Sequence, residues 1–335
     1  MLTEPVDLDR EELRETLARG WRIDVASLDY RPLGFGSHHW VVIDPAGSRW
    51  FATVDDLRSG RAGEDRDAAF AALESAFLTA RMLRDEGKLE FVVAPLLDRD
   101  GSVLRRVGLD YAVSLFPFID GESFGFGEYR SERDRHEVLR LLGRLHEASP
   151  VLPSGLTRHD DLTVPRRAEL LEALGQVDAP WTTGPFAEPT RLLLQSSAEN
   201  LRTALDRYDS LVAEVSASTS SWVVTHGEPH TGNFIRDRQD RLLLIDWDTV
   251  ALGPPERDLW MVVGDEQADL AAYSNAARSA KVSPRAMQLY RLWWTLADIA
   301  EFVSWFRGPH DRSADKEAGW TFLSRALPIR SELLD

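Results

Sequence analysis

THGEPHTGNF at residues 225–234 and LLLIDWDT at residues 242–249 are the stretches on which the reading of this chain turns. Each joins a short apolar run of β character, 222–225 in the first and 242–245 in the second, to a loop dense in Asp, Glu, Asn or His. If the two strands pair, Glu228, Asn233, Asp246 and Asp248 converge. Carboxylate and amide oxygens suit Mg²⁺, which takes few protein carboxylates and completes its shell with substrate phosphates and water. A further carboxylate can accept a proton from an attacking hydroxyl. The same residue types also build satisfied turns, because Asp, Asn and Gly favour such loops for local reasons. On these residues alone both readings stay open.

Outward from these loops the chain divides in character near residue 120. Before it, helical spacing with an acidic first turn predicts a helix over 9–19, and a second, longer helix follows over 65–86, with Phe70, Leu73, Phe77, Ala80 and Leu83 on one face. Strands are expected at 28–33, 40–44, 50–55, 91–97 and 111–118, the second and third paired around Pro45-Ala46-Gly47. Gly34-Phe35-Gly36-Ser37 reads as a turn. After Gly121 helices are expected at 128–148, within 160–175, at 188–216 and over most of the chain beyond 258. The organisation is α+β: a β-rich N-terminal lobe over 1–118, a junction near 115–120, and a mainly helical C-terminal lobe over 119–335.

Composition narrows the chemistry. With 43% hydrophobic residues in 335, the chain can bury a full core, and general disorder is excluded. It has no cysteine, so disulfides, thiolate zinc sites and thiol catalysis are ruled out. The formal net charge of −16 disfavours nucleic acid as a partner and favours a cationic ligand. There is no membrane-spanning window of about 18 apolar residues. The most apolar stretch, 289–306, carries Arg291, Asp298 and Glu301. The opening MLTEPVDLDREEL is acidic and lacks a signal-peptide core, so a cytoplasmic protein is expected. Lysine is scarce: of 39 basic residues only Lys88, Lys281 and Lys316 are lysines, so a mechanism that needs one has few places to find it. There is no Walker A lysine motif, which excludes a P-loop enzyme.

The order His-Gly-Glu-Pro-His-x-x-Asn, then Ile-Asp-Trp-Asp, then Pro-Pro-Glu-Arg-Asp-Leu at 254–259 resembles the aminoglycoside phosphotransferase family of kinase-like enzymes. The resemblance is greatest to its spectinomycin phosphotransferase branch, and it extends to LFPFIDG at 115–121 and LGRLH at 142–146, covering roughly residues 28–265. It implies a bilobal protein-kinase-like fold and ATP- and Mg²⁺-dependent transfer of a phosphoryl group to a hydroxyl of a small molecule. The acceptor would be an aminoglycoside, aminocyclitol or amino sugar, with ATP or another nucleoside triphosphate as donor. By the same resemblance Glu228 is the catalytic base, and Asn233 and Asp246 are the metal ligands. Leu115, Phe116 and Phe118 form the adenine hinge, and Gly34, Gly36, Ser37 and His38 form the loop over the phosphates. Thr53 takes the place of the nucleotide-binding lysine, and Glu74 that of the lysine's partner glutamate.

Two departures follow. Position 228 is Glu where the family has Asp, which adds about 1.5 Å of reach. Position 53 is Thr where the family has Lys. Either His38, His39 or Arg58 neutralises the phosphates, or Mg²⁺ does so alone, or nucleotide is not bound in the usual way. A pseudokinase that binds without transferring, and an enzyme that transfers a different part of the nucleotide, are the alternatives. His146, His226, His230 and Asp258 are expected to be scaffold around the loop, and Trp293, Trp294 and Trp305, at helical spacing, core packing. Sequence does not fix the acceptor or the oligomeric state.

Overall fold

A computed structural model describes residues 1–59, 65–127, 129–216, 222–264, 266–277 and 282–334; Glu128 and Lys281 lie outside the described residues. Two compact units make up the chain: residues 1–160 with 221–281, and residues 161–220 with 282–335.

In the first unit, helix α1 (Arg10–Trp21) starts at Asp9, whose carboxylate accepts the backbone N–H of Glu11 at 2.8 Å. That satisfies a helix donor that otherwise has no partner. Strands β1 (Ser27–Arg31), β2 (His38–Ile43) and β3 (Arg49–Asp56) follow, then α2 (Arg66–Asp85), β4 (Arg105–Val107) and β5 (Tyr111–Pro117). The strands form one antiparallel sheet in the order β1-β2-β3-β5-β4. Trp40, Val42, Ala52, Val54, Val113 and Leu115 alternate onto the face that shares a core with Leu13 and Leu17 of α1. Because side chains alternate along a strand, Thr53, Asp55 and Ser114 fall on the other face. On that face Phe77 of α2 meets Phe116 edge-on at 5.7 Å.

The remainder of this unit carries the polar loops. It comprises β6 (Gly121–Ser123), α3 (Glu132–Glu147), β7 (Val223–Thr225), β8 (Phe234–Asp237), β9 (Leu242–Leu244), β10 (Ala251–Gly253) and two helices, Glu256–Leu259 and Glu266–Ser274. Helix α3 begins four residues later than its expected start at 128, behind the Ser131 cap.

Two expectations are corrected. The strands leading into the two loops do not pair with each other: β7 pairs with β10, while β9 pairs with β8 and β8 with β6. Residues 91–97 are an extended connector and not a strand of the sheet. Pro95 has no N–H to give to a ladder. The neighbouring backbone groups are spent on two different partners: Val93 N–H on Leu244 O at 3.0 Å, and Leu96 N–H on Leu115 O at 2.6 Å.

The second unit is helical: Arg167–Leu174, Ala187–Ser216, Pro284–Arg307 and Ala314–Ala326. The two long helices pack together, burying Leu194, Leu201, Leu205 and Leu211 from one and Leu289, Leu292, Leu296 and Ile299 from the other. Trp293, Trp294 and Trp305 are not core residues as their spacing suggested. All three are half-buried. Trp293 donates to Thr163 O at 2.7 Å, and Lys316 sits 3.6 Å from the Trp305 ring centre. Their polar N–H groups keep them at the margin, where a partner is in reach. Among the described residues no helix is long and apolar enough to cross a membrane.

Candidate active site

The loop after β7 is held from beneath by one buried carboxylate. Asp258 accepts the backbone N–H of His226 at 2.9 Å and of Gly227 at 2.6 Å, and His146 Nε2 lies 2.9 Å from the same group. His146 Nδ1 in turn meets the Tyr273 hydroxyl at 2.7 Å. Burial by itself would raise the Asp258 carboxyl. The hydrogen bond and charge of His146, with the Gly227 N–H, outweigh it and hold Asp258 below the usual aspartate value. Gly227 is required at the turn. Its φ is +102°, and a Cβ there would stand 2.3 Å from Arg257 Nη1. Arg257 is itself fixed by Thr225 Oγ1 at 3.0 Å, Thr249 O at 2.8 Å and Asp160 at 3.1 Å.

His226 ties the two polar loops together. Its Nε2 is 2.9 Å from Ile245 O, and its Nδ1 faces the Glu228 N–H at 3.3 Å. Those partners assign the proton to Nε2 and leave Nδ1 as acceptor. Burial lowers the ring to about 4, so it is neutral. Trp247 packs edge-on against it at 4.8 Å. The β8–β9 hairpin supplies the second tie, because Phe234 pairs with Leu244 and the Ile245 N–H donates to Asn233 O at 3.0 Å. Asn233 Nδ2 donates to Glu228 O at 2.8 Å, which leaves Oδ1 as the acceptor of that amide. The loops therefore meet through hydrogen bonds and a hairpin, without the direct strand pairing read from the sequence.

This brings Glu228, Asn233, Asp246 and Asp248 together. Asp246 has a left-handed backbone, φ +69°, a conformation that costs a non-glycine residue about 1–2 kcal/mol. It keeps solvent-accessible surface, yet enclosure by protein is the largest influence raising its carboxyl well above the ordinary value; the charges of Asp248, Glu228 and Asp55 raise it further. Asp248 is likewise raised, chiefly by burial, against its own and the Thr249 backbone donors. Like charges gathered in this way favour a bound cation. The donors are all hard oxygens, which is the set that Mg²⁺ accepts.

The sheet face is different. Gly34 and Gly36 have φ of +62° and +96° with open space where a Cβ would be. Ser37 Oγ donates to Asp55 Oδ1 at 2.6 Å. Thr53 sits opposite Ser114 on β5 and His39 on β2, and its hydroxyl is 3.4 Å from His39 Nδ1. Burial drives the His39 ring down to about 3, so it supplies no charge. His38 is buried, with Nδ1 3.2 Å from the Tyr30 hydroxyl. Arg58 is spent elsewhere, on Asp56 at 2.8 Å, Asp7 at 2.6 Å and the Tyr111 hydroxyl at 2.9 Å. Of the three substitutes for lysine named from the sequence, His39 and Arg58 are thus not available as free cations. Glu74 is half-buried on α2 and pairs with no cation among the described residues. Lys88 is exposed just beyond α2, donating to Asp85 O at 2.5 Å. Leu115 and Phe116 are buried at the end of β5, and Phe118 beyond them lies 4.1 Å under the Arg49 guanidinium.

Sequence reading missed Asp55. The signal was present in WFATVDD: Asp55 is two residues from Thr53 and so on the same face of β3. It also missed Arg257 and Tyr273, whose roles depend on contacts over long sequence separations.

The chain matches the model described as the phosphotransferase enzyme family (aminoglycoside phosphotransferases) over residues 29–293. Protein StrN of Streptomyces griseus is 27% identical, with 91% of this chain and 88% of that protein aligned. Stress response kinase A of Salmonella choleraesuis is 28% identical over 61% of each. Among solved structures, spectinomycin phosphotransferase in complex with ADP and spectinomycin superposes with a TM-score of 0.75 at 15% identity, covering 99% of this chain and 97% of that one. Amicoumacin kinase in complex with AMP-PNP, Ca²⁺ and its ligand superposes with a TM-score of 0.62 at 14% identity, covering 98% and 93%. Both likenesses are of fold: a β-sheet N-terminal region and a helical C-terminal region in the protein-kinase-like arrangement.

Proposed function

The chain belongs to the phosphotransferase enzyme family, and from that premise we propose that it transfers the terminal phosphoryl group of ATP to a hydroxyl of a small, cationic or sugar-like acceptor. The observation that carries this reading is the Glu228, Asn233, Asp246 and Asp248 cluster, fixed by His226 and Asp258. On this reading residues 1–118 form the nucleotide lobe, with the hinge at Leu115, Phe116 and Phe118 and the phosphate loop at Gly34, Gly36, Ser37 and His38. Thr53 and Glu74 line the same cleft, and residues 119–335 carry the catalytic loop, the metal site and the acceptor site. Leu115 O already accepts from Leu96 N–H, so adenine would use the remaining hinge groups.

Glu228 takes the proton of the acceptor hydroxyl as its oxygen attacks the γ-phosphorus and ADP departs. Asn233 Oδ1 and the Asp246 carboxylate would hold Mg²⁺, which when bound neutralises charge on the transferred phosphoryl group. The net charge of −16 supports a cationic acceptor through long-range attraction.

The test is a transfer assay with ATP, Mg²⁺ and a panel of aminoglycosides, aminocyclitols and amino sugars, with products weighed by mass spectrometry. Phosphorylated product is expected. Glu228→Gln keeps the size of the side chain but not its basicity, and should lower turnover about 10²–10⁴-fold with nucleotide affinity unchanged. Wild-type turnover in that variant would remove Glu228 as the base. Nucleotide binding without any product would favour a pseudokinase, and an adenylylated product would mean that another bond of ATP is broken.

A further inference from the structure

Thr231 lies in the middle of the loop that runs from Glu228 to Asn233, and the phosphotransfer chemistry above gives it no part. The residue is 2% exposed, so its hydroxyl has to be satisfied within the protein. Both of its partners come from one residue of another segment. Thr231 Oγ1 accepts the Gly127 N–H at 2.9 Å and donates its own proton to Gly127 O at 3.0 Å. Two bonds to the same backbone unit fix direction as well as distance.

Gly127 ends the stretch GESFGFG at 121–127, which begins with β6 and leads towards α3. Its φ is +146°, with open space where a Cβ would be, so glycine is needed there for conformation and not for room. The segment crosses the catalytic loop along its length. Phe124 N–H donates to Phe234 O at 3.3 Å, Ser123 Oγ to Gly232 O at 3.3 Å and the Tyr129 hydroxyl to Pro229 O at 3.5 Å, while the Phe126 ring stands edge-on to His230 at 5.0 Å. Those hydrogen bonds are long, and the Thr231 pair is at ordinary length. Asp258 and His226 fasten residues 226–228 from beneath, and residues 229–232 lie beyond those bonds. The Thr231–Gly127 pair is therefore the firmest of these ties on the middle of the loop.

We propose that Thr231 is a positioning residue: by fastening the loop to Gly127 it sets the separation and direction of the two functional groups at the loop's ends, the Glu228 carboxylate and Asn233 Oδ1. Three bonds carry its position to those ends. Asn233 N–H donates to His230 O at 3.0 Å, Asn233 Nδ2 donates to Glu228 O at 2.8 Å, and Ile245 N–H holds Asn233 O at 3.0 Å. Gly127 is exposed, so water can take over its N–H and C=O once the hydroxyl is gone. Loss of the tie should thus loosen the loop without unfolding the protein, and a displacement of about 1 Å can cost about a hundredfold in rate. The role rests on the phosphotransferase reading for the reaction that is timed, but the tie itself can be measured without nucleotide.

Thr231→Val keeps the shape of the side chain and deletes both hydrogen bonds, and Thr231→Ser keeps the hydroxyl. Amide hydrogen exchange is followed on the full-length protein without ligand. In Thr231→Val, peptides covering 123–127 and 229–234 should exchange about tenfold faster, while residues 223–227, held by Asp258 and β10, keep the wild-type rate, which also shows that the variant is folded. ADP release from ATP with Mg²⁺ is then timed with the most active acceptor of the panel above and with water alone. Thr231→Val should lower kcat about 10–100-fold with KM for ATP within about twofold of wild type, and Thr231→Ser should return most of the rate. Faster exchange with wild-type kcat would overturn the proposal and leave Thr231 a structural tie. Unchanged exchange and kcat would remove the tie as well. A Ser variant as slow as the Val variant would assign the effect to the methyl group and also overturn it. In each of these cases an active wild type leaves the phosphotransferase reading standing. A wild type that releases no ADP would reject that reading, and the positioning role would fall with it.

Discussion

The loop that carries Glu228 and the sheet face that carries Thr53 lie in the same compact unit, yet they are built in opposite ways. Beneath the loop the buried supports are engaged: Asp258 holds two backbone N–H groups and His146, His226 holds Ile245 and Glu228, and Arg257 holds Thr225, Thr249 and Asp160. On the sheet face Asp55 and Ser114 each keep an oxygen without a partner, and Thr53 stands where the family's lysine is expected. A saturated network fixes geometry and tolerates little change. An unsaturated face is completed by whatever binds there, so it can change its anchor while the fold persists.

The largest effect should come from breaking the saturated side. Asp258→Ala removes the acceptor for His226 N–H, Gly227 N–H and His146 together, leaving buried donors unpaired. It should destabilise the protein by about 3–5 kcal/mol, read as a lowered urea midpoint. A loss below about 1 kcal/mol would mean that the network relaxes around the gap.

Asp246→Asn tests the proposed metal role of the second loop next. It should reduce Mg²⁺-dependent nucleotide affinity by about a hundredfold while leaving the melting temperature close to wild type or above it, because a crowded negative charge is removed. Undiminished affinity with Mg²⁺ present would reject Asp246 as the principal ligand.

On the unsaturated side the expected effect is smaller and depends on pH. Burial raises the Asp55 carboxyl to about 7, against which the Ser37 hydrogen bond works only in part, while Asp248 raises it further. Between about pH 4 and pH 7 the folded protein holds a proton there that the unfolded chain has released. Stability conferred by this group is therefore present at the acid end, falls as pH rises through that window, and is fully lost above about 7. Asp55→Asn should abolish this slope and, without divalent cation at pH 8, raise stability by on the order of 2 kcal/mol. Superimposable urea titrations of the two proteins at pH 5 and pH 8 would show that Asp55 is ordinarily ionised.

Thr53→Lys should have the smallest effect. The new ammonium would meet Glu74 and the nucleotide phosphates, tightening ATP binding by about 1–2 kcal/mol in calorimetric titration. If wild-type binding is already tight and the lysine weakens it, the face has been rebuilt around another anchor.

The contrast also sorts what could be read in advance. Glu228, Asn233, Asp246 and Asp248 were legible because loop chemistry is concentrated in short contiguous strings. The helices at Arg10–Trp21, Arg66–Asp85 and Ala187–Ser216 were legible because an apolar stripe of period 3.6 repeats over several turns. The segment 91–97 misled because it is apolar and β-branched like a strand, while its hydrogen bonds are dictated by Leu244 and Leu115, remote in the chain. The indole trio misled because spacing reports a face without saying whether that face is covered.

What the sequence determined by itself is the inventory and its order: a β-rich stretch before a helical one, hard oxygen donors in two adjacent loops, Thr at position 53, and few lysines to replace it. Periodicity and composition are local properties, and they survive in a linear string. What only the tertiary structure decided is which of those groups are already spoken for. That Arg58 is consumed by Asp7 and Asp56, that His39 is neutral, that Asp258 fastens His146 to Gly227, and that Asp55 is buried with one oxygen unpartnered all depend on burial and on partners far apart in sequence. The charge and hydrogen-bonding capacity of a side chain are fixed by its type, but whether they are free to act is fixed by what the fold packs around it.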